Sequence, residues 1–234
     1  MFIMGCGHSG TSIILRILGA HSSFYTIEEE SRLFYKHDRE LIRTLFKWKF
    51  KLEQKKKKRA LEKTPEHIYC LDRILKIFPK SKIIYMVRDG RDVACSHKHR
   101  NSFEFGVETW IDATETIMPF IHHKNIKILK LEEFVSNPRL KLTELLEFTG
   151  EKFENAMLEY YRQPAFYYSS SIDKPSSVEE GENHRAYRNW QINQPIFEST
   201  ERWKNEMTEQ DKKYFKMKAQ NQLKFWDYES SDCW

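Results

Sequence analysis

A phosphate-loop pattern opens the chain and then lacks its lysine. In GCGHSGTS, residues 5–12, Gly5, Gly10 and Ser12 fit the pattern G-x-x-x-x-G-K-[ST], but Thr11 stands in the lysine position. Without the side chain that reaches the terminal phosphates of ATP or GTP, an ATPase or GTPase is not expected. Cysteine is scarce too. Cys6, Cys70, Cys95 and Cys233 lie far apart and form no C-x-x-C pair, which favours reduced thiols in a reducing compartment over a disulfide framework. Long apolar runs are also absent: no window approaches about 18 uninterrupted apolar residues, so no membrane span is expected. The apolar opening MFIMGCGHSGTSIILRILGA has no basic leader and is broken by Gly, His and Ser, unlike a signal peptide. The expectation is a soluble, cytoplasmic protein.

What is present is a chain of 234 residues, 40% apolar and 14% aromatic, long enough to bury a core and too hydrophobic for disorder. Lys and Arg number 39 against 34 Asp and Glu, a net charge of +5. That mild excess suits anionic ligands without by itself indicating nucleic acid. FIM (2–4), KIIYMV (82–87) and IKILKL (126–131) read as strands, each followed by a polar turn and a helix. TSIILRILGAH (11–21) is the first helix, EHIYCLDRILKIF (66–78) carries a helical stripe, and PRLKLTELLEFTG opens at Pro138 and stops at Gly150. Asp89 and Asp92 bracket a further helix start. This alternation predicts an α/β fold: a P-loop-like, mainly parallel sheet with helices on both faces, in a single domain. Its nucleotide-binding core would be about 1–150 and a C-terminal helical part about 151–234. Two segments break the rhythm. KWKFKLEQKKKKR (47–59) is strongly basic with only Glu53 opposing, and the stretch after Pro164 is a loop rich in Ser, Glu and Gly.

In such a sheet, ligands sit beyond the carboxyl ends of the strands. The turn 5–10 lies there, ahead of a helix whose free N–H groups and dipole attract an anion. Gly7 and Gly10 let the backbone close on it, and Ser9, Thr11 and Ser12 add hydroxyl donors. The stretch VRDGRDVACSHKHR (87–100) supplies a second anion site. Arg88 follows a strand directly, and Ser96 and Arg100, four apart on the next helix, share a face. Arg91, Asp92 and Lys98 are expected to be a solvated helix start, and His97, His99, His122 and His123 helix-surface residues. Two anion sites at one sheet edge fit a nucleotide phosphorylated on two different carbons.

At this point the residues resemble a known family. HSGTS beside the first strand, the EKTP segment and FPKSKIIYMVRDGRDVACSHKHR are similar to the PAPS-dependent sulfotransferases. The tyrosylprotein branch and its bacterial relatives read R-S-G-T-T, an E-E pair, K-D-P and M-V-R-D-G-R. The likeness covers residues 1–100 and thins afterwards. It implies 3′-phosphoadenosine-5′-phosphosulfate (PAPS) as co-substrate, 3′-phosphoadenosine-5′-phosphate (PAP) as product, and no metal. By the same resemblance, Gly7, His8, Ser9, Gly10, Thr11 and Ser12 would hold the 5′-phosphosulfate, and Arg88, Ser96 and Arg100 the 3′-phosphate. Lys63 would stabilise the transferred group, with His8 beside it. The base falls in the glutamates 28–30: Glu29 in the family's register, Glu30 if this chain has one extra residue. Arg202 of ERWK would reach the nucleotide. Two departures stand out: His8 replaces the family's usual Arg or Lys, and Leu131 stands where the family has a tyrosine near the adenine.

A sulfuryl group carries less negative charge than a phosphoryl group, so side-chain cations can serve where kinases need Mg²⁺. No Asp or Glu follows a strand as a metal carboxylate, and the nine histidines show no ligand spacing. Three rivals remain: a lysine-less P-loop kinase or NTPase, a non-catalytic anion- or nucleic-acid-binding protein using the basic run 47–59, although nucleic acid is not the expected partner, and a sulfotransferase-like protein that binds the donor without turnover. The expected partner is a hydroxyl-bearing acceptor. Phe166, Tyr167, Tyr168, Tyr187 and Trp190 allow a carbohydrate, phenol, lipid or peptide tyrosine equally.

Overall fold

The computed structural model describes residues 1–98, 102–176, 182–197 and 200–229. Arg100, His99 and Cys233 fall outside the described residues. Strands β1 (Phe2–Gly5), β2 (Phe24–Thr26), β3 (Arg59–Lys63), β4 (Ile83–Val87) and β5 (Ile126–Lys130) form one sheet in the order β2-β3-β1-β4-β5. Every pairing is parallel. The chain leaves β1 toward β3 and β2, then returns to β4 on its other side. The crevice at such a reversal is where open α/β sheets bind ligands.

Helices α1 (Thr11–Gly19), α2 (Asp38–Gln54), α3 (Leu71–Ile77), α4 (Gly90–Lys98) and α5 (Phe103–Ile117) cover the first four strands. They are followed by α6 (Leu131–Ser136), α7 (Pro138–Thr149), α8 (Glu182–Gln191), α9 (Trp203–Glu206) and α10 (Glu209–Phe225). Strand alternation divides the core into two layers. Phe2, Met4, Ile83, Tyr85 and Val87 face a cluster that includes Trp110, Phe215 and Leu223. Ile3, Ile84 and Met86 face the opposite one, with Ile14 and Leu18 of α1 and Leu142 and Leu146 of α7. Burial of both faces explains why KIIYMV reads as an unbroken apolar run.

The helix signals act as expected. Pro138 opens α7, Asn137 accepts from the Leu140 N–H, and Gly150 ends the helix in the left-handed region at φ 76°. Asp89 accepts from the Arg91 N–H at 2.9 Å at the start of α4. β2 lies in the stretch FYTIEEE, and one strand escaped the pattern: β3 is RALEK, whose Glu62 and Lys63 are fully buried although charged. Most of the basic run 47–59 forms the exposed second half of α2.

Candidate active site

The phosphate loop hangs from the end of β1. At Gly5 a Cβ would meet the Met86 carbonyl oxygen of the neighbouring strand at 2.5 Å, so glycine is needed for the strands to approach. Gly10 is left-handed at φ 85°, and a Cβ there would lie 2.8 Å from Leu131 Cδ1. Between them His8 is also left-handed, at φ 63°. For a residue with a Cβ that costs about 1–2 kcal/mol. Its carbonyl accepts a hydrogen bond from Arg88 Nη1 at 3.1 Å, which holds the turn. Arg88 thus ties the end of β4 to the loop of β1.

The loop is prepared for an anion. The first turn of α1 has no acidic residue and no side-chain cap, so its N–H groups and dipole face the loop uncompensated. Ser9 is buried, and its hydroxyl has no hydrogen-bond partner among the described residues. A buried hydroxyl in that state is free to donate to a water or an anion at the loop. Cys6 is no nucleophile: burial raises its thiol to about 12, outweighing a bond to Thr109.

A single cleft of about 1160 Å³ is lined by Gly7, His8, Gly10, Thr11 and Ser12 of the loop, by Arg88 and Ser96, by Glu30, and by Arg202. The two expected anion sites therefore share one cavity. Ser96 Oγ donates to the Asp92 carbonyl at 2.9 Å, within its own helix. Leu131 packs on Gly10 and lines the same cleft. Arg202 is exposed and pairs with Glu206 at 2.7 Å, so it reaches the cleft only at its rim.

Among the glutamates, a bend after the strand decides. Ile27 continues the strand by bonding the Leu61 carbonyl at 2.8 Å, after which Glu28 and Glu29 are exposed. Glu29, the residue expected from the family's register, points away from the cleft, and Glu30 lines it. Glu30 Oε1 meets Lys63 Nζ at 2.5 Å and Arg188 Nη2 at 3.0 Å. Burial pushes the Glu30 carboxyl up, but Lys63 and then Arg188 overcome this and hold it at about 2. Lys63 itself is buried at the end of β3, in register with Ile3 of β1.

Behind this pair, Glu62 accepts from Ser31 Oγ at 2.7 Å, from Thr64 Oγ1 at 2.6 Å, and bonds His67 Nδ1 at 3.0 Å. Ser31 follows Glu30 and Thr64 follows Lys63, so one buried carboxylate fixes the backbone on both sides of the ion pair.

Above the loop lies a roof formed by residues 164–176 and α8. Arg188 donates to Ser12 Oγ at 3.3 Å and its guanidinium lies 4.0 Å over the Tyr168 ring. The Tyr168 hydroxyl also donates to Ser12, at 2.9 Å. Ser12, expected to face an anion, is thus bonded to the roof. The buried Asn189 accepts from the Tyr168 N–H and donates to the Ser171 carbonyl at 2.8 Å, joining α8 to the segment beneath it. Arg16 of α1 anchors the start of this region through the carbonyls of Tyr160 and Gln163.

Three surface expectations are corrected. Arg91 and Asp92 are buried, because Arg91 stacks on Trp203 at 3.8 Å and grips Asp89, while Asp92 accepts from the Trp203 N–H at 2.9 Å. His97 is also buried; its ring meets that of His8 edge to face at 4.5 Å and lines the cleft. Lys98 is exposed, as expected, and pairs with Asp211. The remaining residues the sequence did not reveal are Arg188 and His184; Tyr168, offered there only as an acceptor-side aromatic, bonds the loop at Ser12. They sit in a stretch whose composition reads as loop.

Fold and site together define an α/β protein whose lysine-less phosphate loop shares one cleft with Arg88 and with Glu30, the carboxylate that Lys63 pairs. A family model described as the sulfotransferase family matches residues 28–155, more than half of the chain, and the protein belongs to that family. The match includes Glu30, Lys63, Arg88 and Ser96 and begins after the loop. An uncharacterized protein of Aquifex aeolicus (strain VF5) is 25% identical over 236 residues, covering 80% of this chain. The chain spans 31% of that relative's length. Among solved structures, the sulfotransferase domain from the curacin biosynthetic pathway superposes with a TM-score of 0.70 at 18% identity, covering 98% of both chains. The sulfotransferase domain of the Synechococcus PCC 7002 olefin synthase gives 0.65 at 16% identity, covering 98% of this chain and 94% of its own. Mouse sulfotransferase SULT7A1, complexed with PAP, gives 0.62 at 17% identity, covering 97% and 84%. At these identities the superpositions speak for the fold.

Proposed function

We propose that the protein transfers a sulfuryl group from PAPS to a hydroxyl acceptor. The observation that carries this reading is the single cleft joining the loop after β1 to Arg88 and Ser96 after β4, in a chain of the sulfotransferase family. The loop 7–12 would hold the 5′-phosphosulfate, with the Ser9 hydroxyl and the N-terminus of α1 as donors. Arg88 and Ser96, with Arg100, would hold the 3′-phosphate, and Arg202 would reach the nucleotide from the rim. PAP in the SULT7A1 complex is consistent with such a donor. Residues about 1–150 are the nucleotide-binding core in this reading, and about 151–234 cover it.

The ion pairs point to how the reaction starts. A carboxylate held at about 2 is a weak base while Lys63 and Arg188 grip it. An anionic donor competes for the same two cations. As they turn to the phosphosulfate, Glu30 is released and its basicity rises. The acceptor O–H then gives its proton to Glu30, the acceptor oxygen bonds to sulfur, and the bond from sulfur to the 5′-phosphate oxygen breaks, releasing PAP. Lys63, with His8 nearby, would stabilise charge on the leaving oxygen. Arg188 supplies from the roof the fixed positive charge that His8 does not guarantee in the loop.

Calorimetry with PAP, AMP and ATP tests the donor site. PAP is expected to bind at least about tenfold more tightly than AMP or ATP, the effect of one charge-assisted contact. Equal affinity for ATP and PAP would overturn the reading and restore the kinase alternative.

A further inference from the structure

We propose that α2 and the lysine run after it form a docking surface for an anionic lipid bilayer. Residues 47–59 hold eight basic residues against Glu53 alone, a net of +7. The whole chain carries +5, so everything outside this run sums to −2. The positive charge is therefore local, and it complements an anionic surface rather than attracting anions to the molecule at large.

The second observation is apolar. α2 already buries one face: Leu41, Leu45 and Trp48 belong to or pack against the core. Its outward face nevertheless exposes Ile42 (50%), Phe46 (69%) and Phe50 (63%). Spaced four apart, these three fall within about 80° of helical arc. A helix apolar on a second, solvent-facing stripe is suited to a second apolar phase. Lys47, Lys49 and Lys51 are exposed around the stripe, where their stems can reach the headgroups while the rings enter the acyl boundary. Lys57 and Lys58 are tied to Ser22 and Glu151 and fix the end of the run to the body of the protein.

Phosphates are common to a bilayer and to nucleic acid, but a duplex backbone offers nothing to two exposed phenylalanines. The apolar stripe favours the bilayer. This inference is independent of the sulfotransferase reading, because none of these residues lines the cleft.

The test is co-sedimentation of the chain with phosphatidylcholine vesicles, with and without roughly one-third phosphatidylglycerol, at low and high salt. Binding is expected only to the anionic vesicles and weaker at high salt. The Phe46→Ser/Phe50→Ser variant should lose at least about tenfold in affinity, and Lys47→Gln/Lys49→Gln/Lys51→Gln should lose a similar amount. Both are surface changes, so unaltered circular dichroism and unaltered PAP binding check that the fold and the cleft persist. Equal binding to neutral and anionic vesicles, or none to either, overturns the proposal. So does full binding by the phenylalanine variant. A short DNA duplex that binds more tightly than the vesicles, and equally to the phenylalanine variant, would assign the surface to nucleic acid instead.

Discussion

Below the cleft, Gly5 presses against Met86, β1 and β4 pair in register through four residues, and an apolar layer backs each face of the sheet. Above it, residues 164–176 meet α8 through Asn189 and Arg185 and the turn after it through Asn193, and they meet the loop through Tyr168 and Arg188. The floor is fixed by close packing, which tolerates little displacement. The roof is fixed by hydrogen bonds and ion pairs, each contributing a net of only about 0.5–1.5 kcal/mol when neutral and somewhat more when charged. A bound anion can exchange for such bonds one by one without disturbing the sheet. On the proposed function, the floor would position the donor and the roof would admit it.

Glu30 sits where the two meet, so the largest effect is expected there. Glu30→Gln should cut turnover by about 10²–10⁴-fold, while Glu29→Gln, altering an exposed side chain, should leave it near normal. Steady-state assays with PAPS and a hydroxyl-bearing acceptor read both. The reverse pattern would return the base to Glu29. The same carboxyl predicts a pH effect. Its folded value is lowered from 4.5 to about 2, so its stabilising contribution is present above about 4.5 and is lost as pH falls toward 2. The thermal stability of wild type over Glu30→Gln should therefore shrink across that interval and stay constant above it.

Next in size is the floor alone. Arg88→Ala removes a cation and also the bond that holds the left-handed His8. PAP binding should weaken by about 1.5–3 kcal/mol, roughly ten- to a hundredfold. Arg88→Lys keeps the charge but not the fork, and should recover only part of it. If both variants bind PAP as wild type does, the 3′-phosphate is held elsewhere.

The same contrast explains what the sequence disclosed. The floor was legible because its physics is local: a glycine loop before an apolar helix, an arginine straight after an apolar strand, a proline and a glycine bracketing α7. β3 was hidden because its alternation is broken by Glu62 and Lys63, which are buried to serve the site rather than the core. The roof was illegible for a different reason. Arg188, Tyr168 and Asn189 act through contacts some 20 to 180 residues distant, and no periodicity marks such partners. Glu29 and Glu30 are neighbours at a bend past the end of β2, where one residue separates an exposed carboxylate from one that lines the cleft, and no periodicity marks which is which. Arg91 and Asp92 read as surface because the covering Trp203 of α9 comes a hundred residues later, whereas His97 is covered by His8 and Phe105.

The smallest expected effect isolates the roof. Tyr168→Phe keeps the ring over which Arg188 lies at 4.0 Å and removes only the hydroxyl that donates to Ser12 at 2.9 Å. The protein without ligand should lose about 0.5–1.5 kcal/mol of stability, the usual net for one hydrogen bond. If the roof governs admission, that bond is already broken when PAPS or PAP occupies the loop, because Ser12 then faces the anion. The variant should consequently match wild type in the presence of saturating PAP, and its PAP affinity should rise slightly, since less is given up on binding. Thermal denaturation with and without PAP measures both quantities. A loss of PAP affinity as large as that of Arg88→Ala would mean that Tyr168 belongs to the nucleotide site itself, and the division between a positioning floor and an admitting roof would fail.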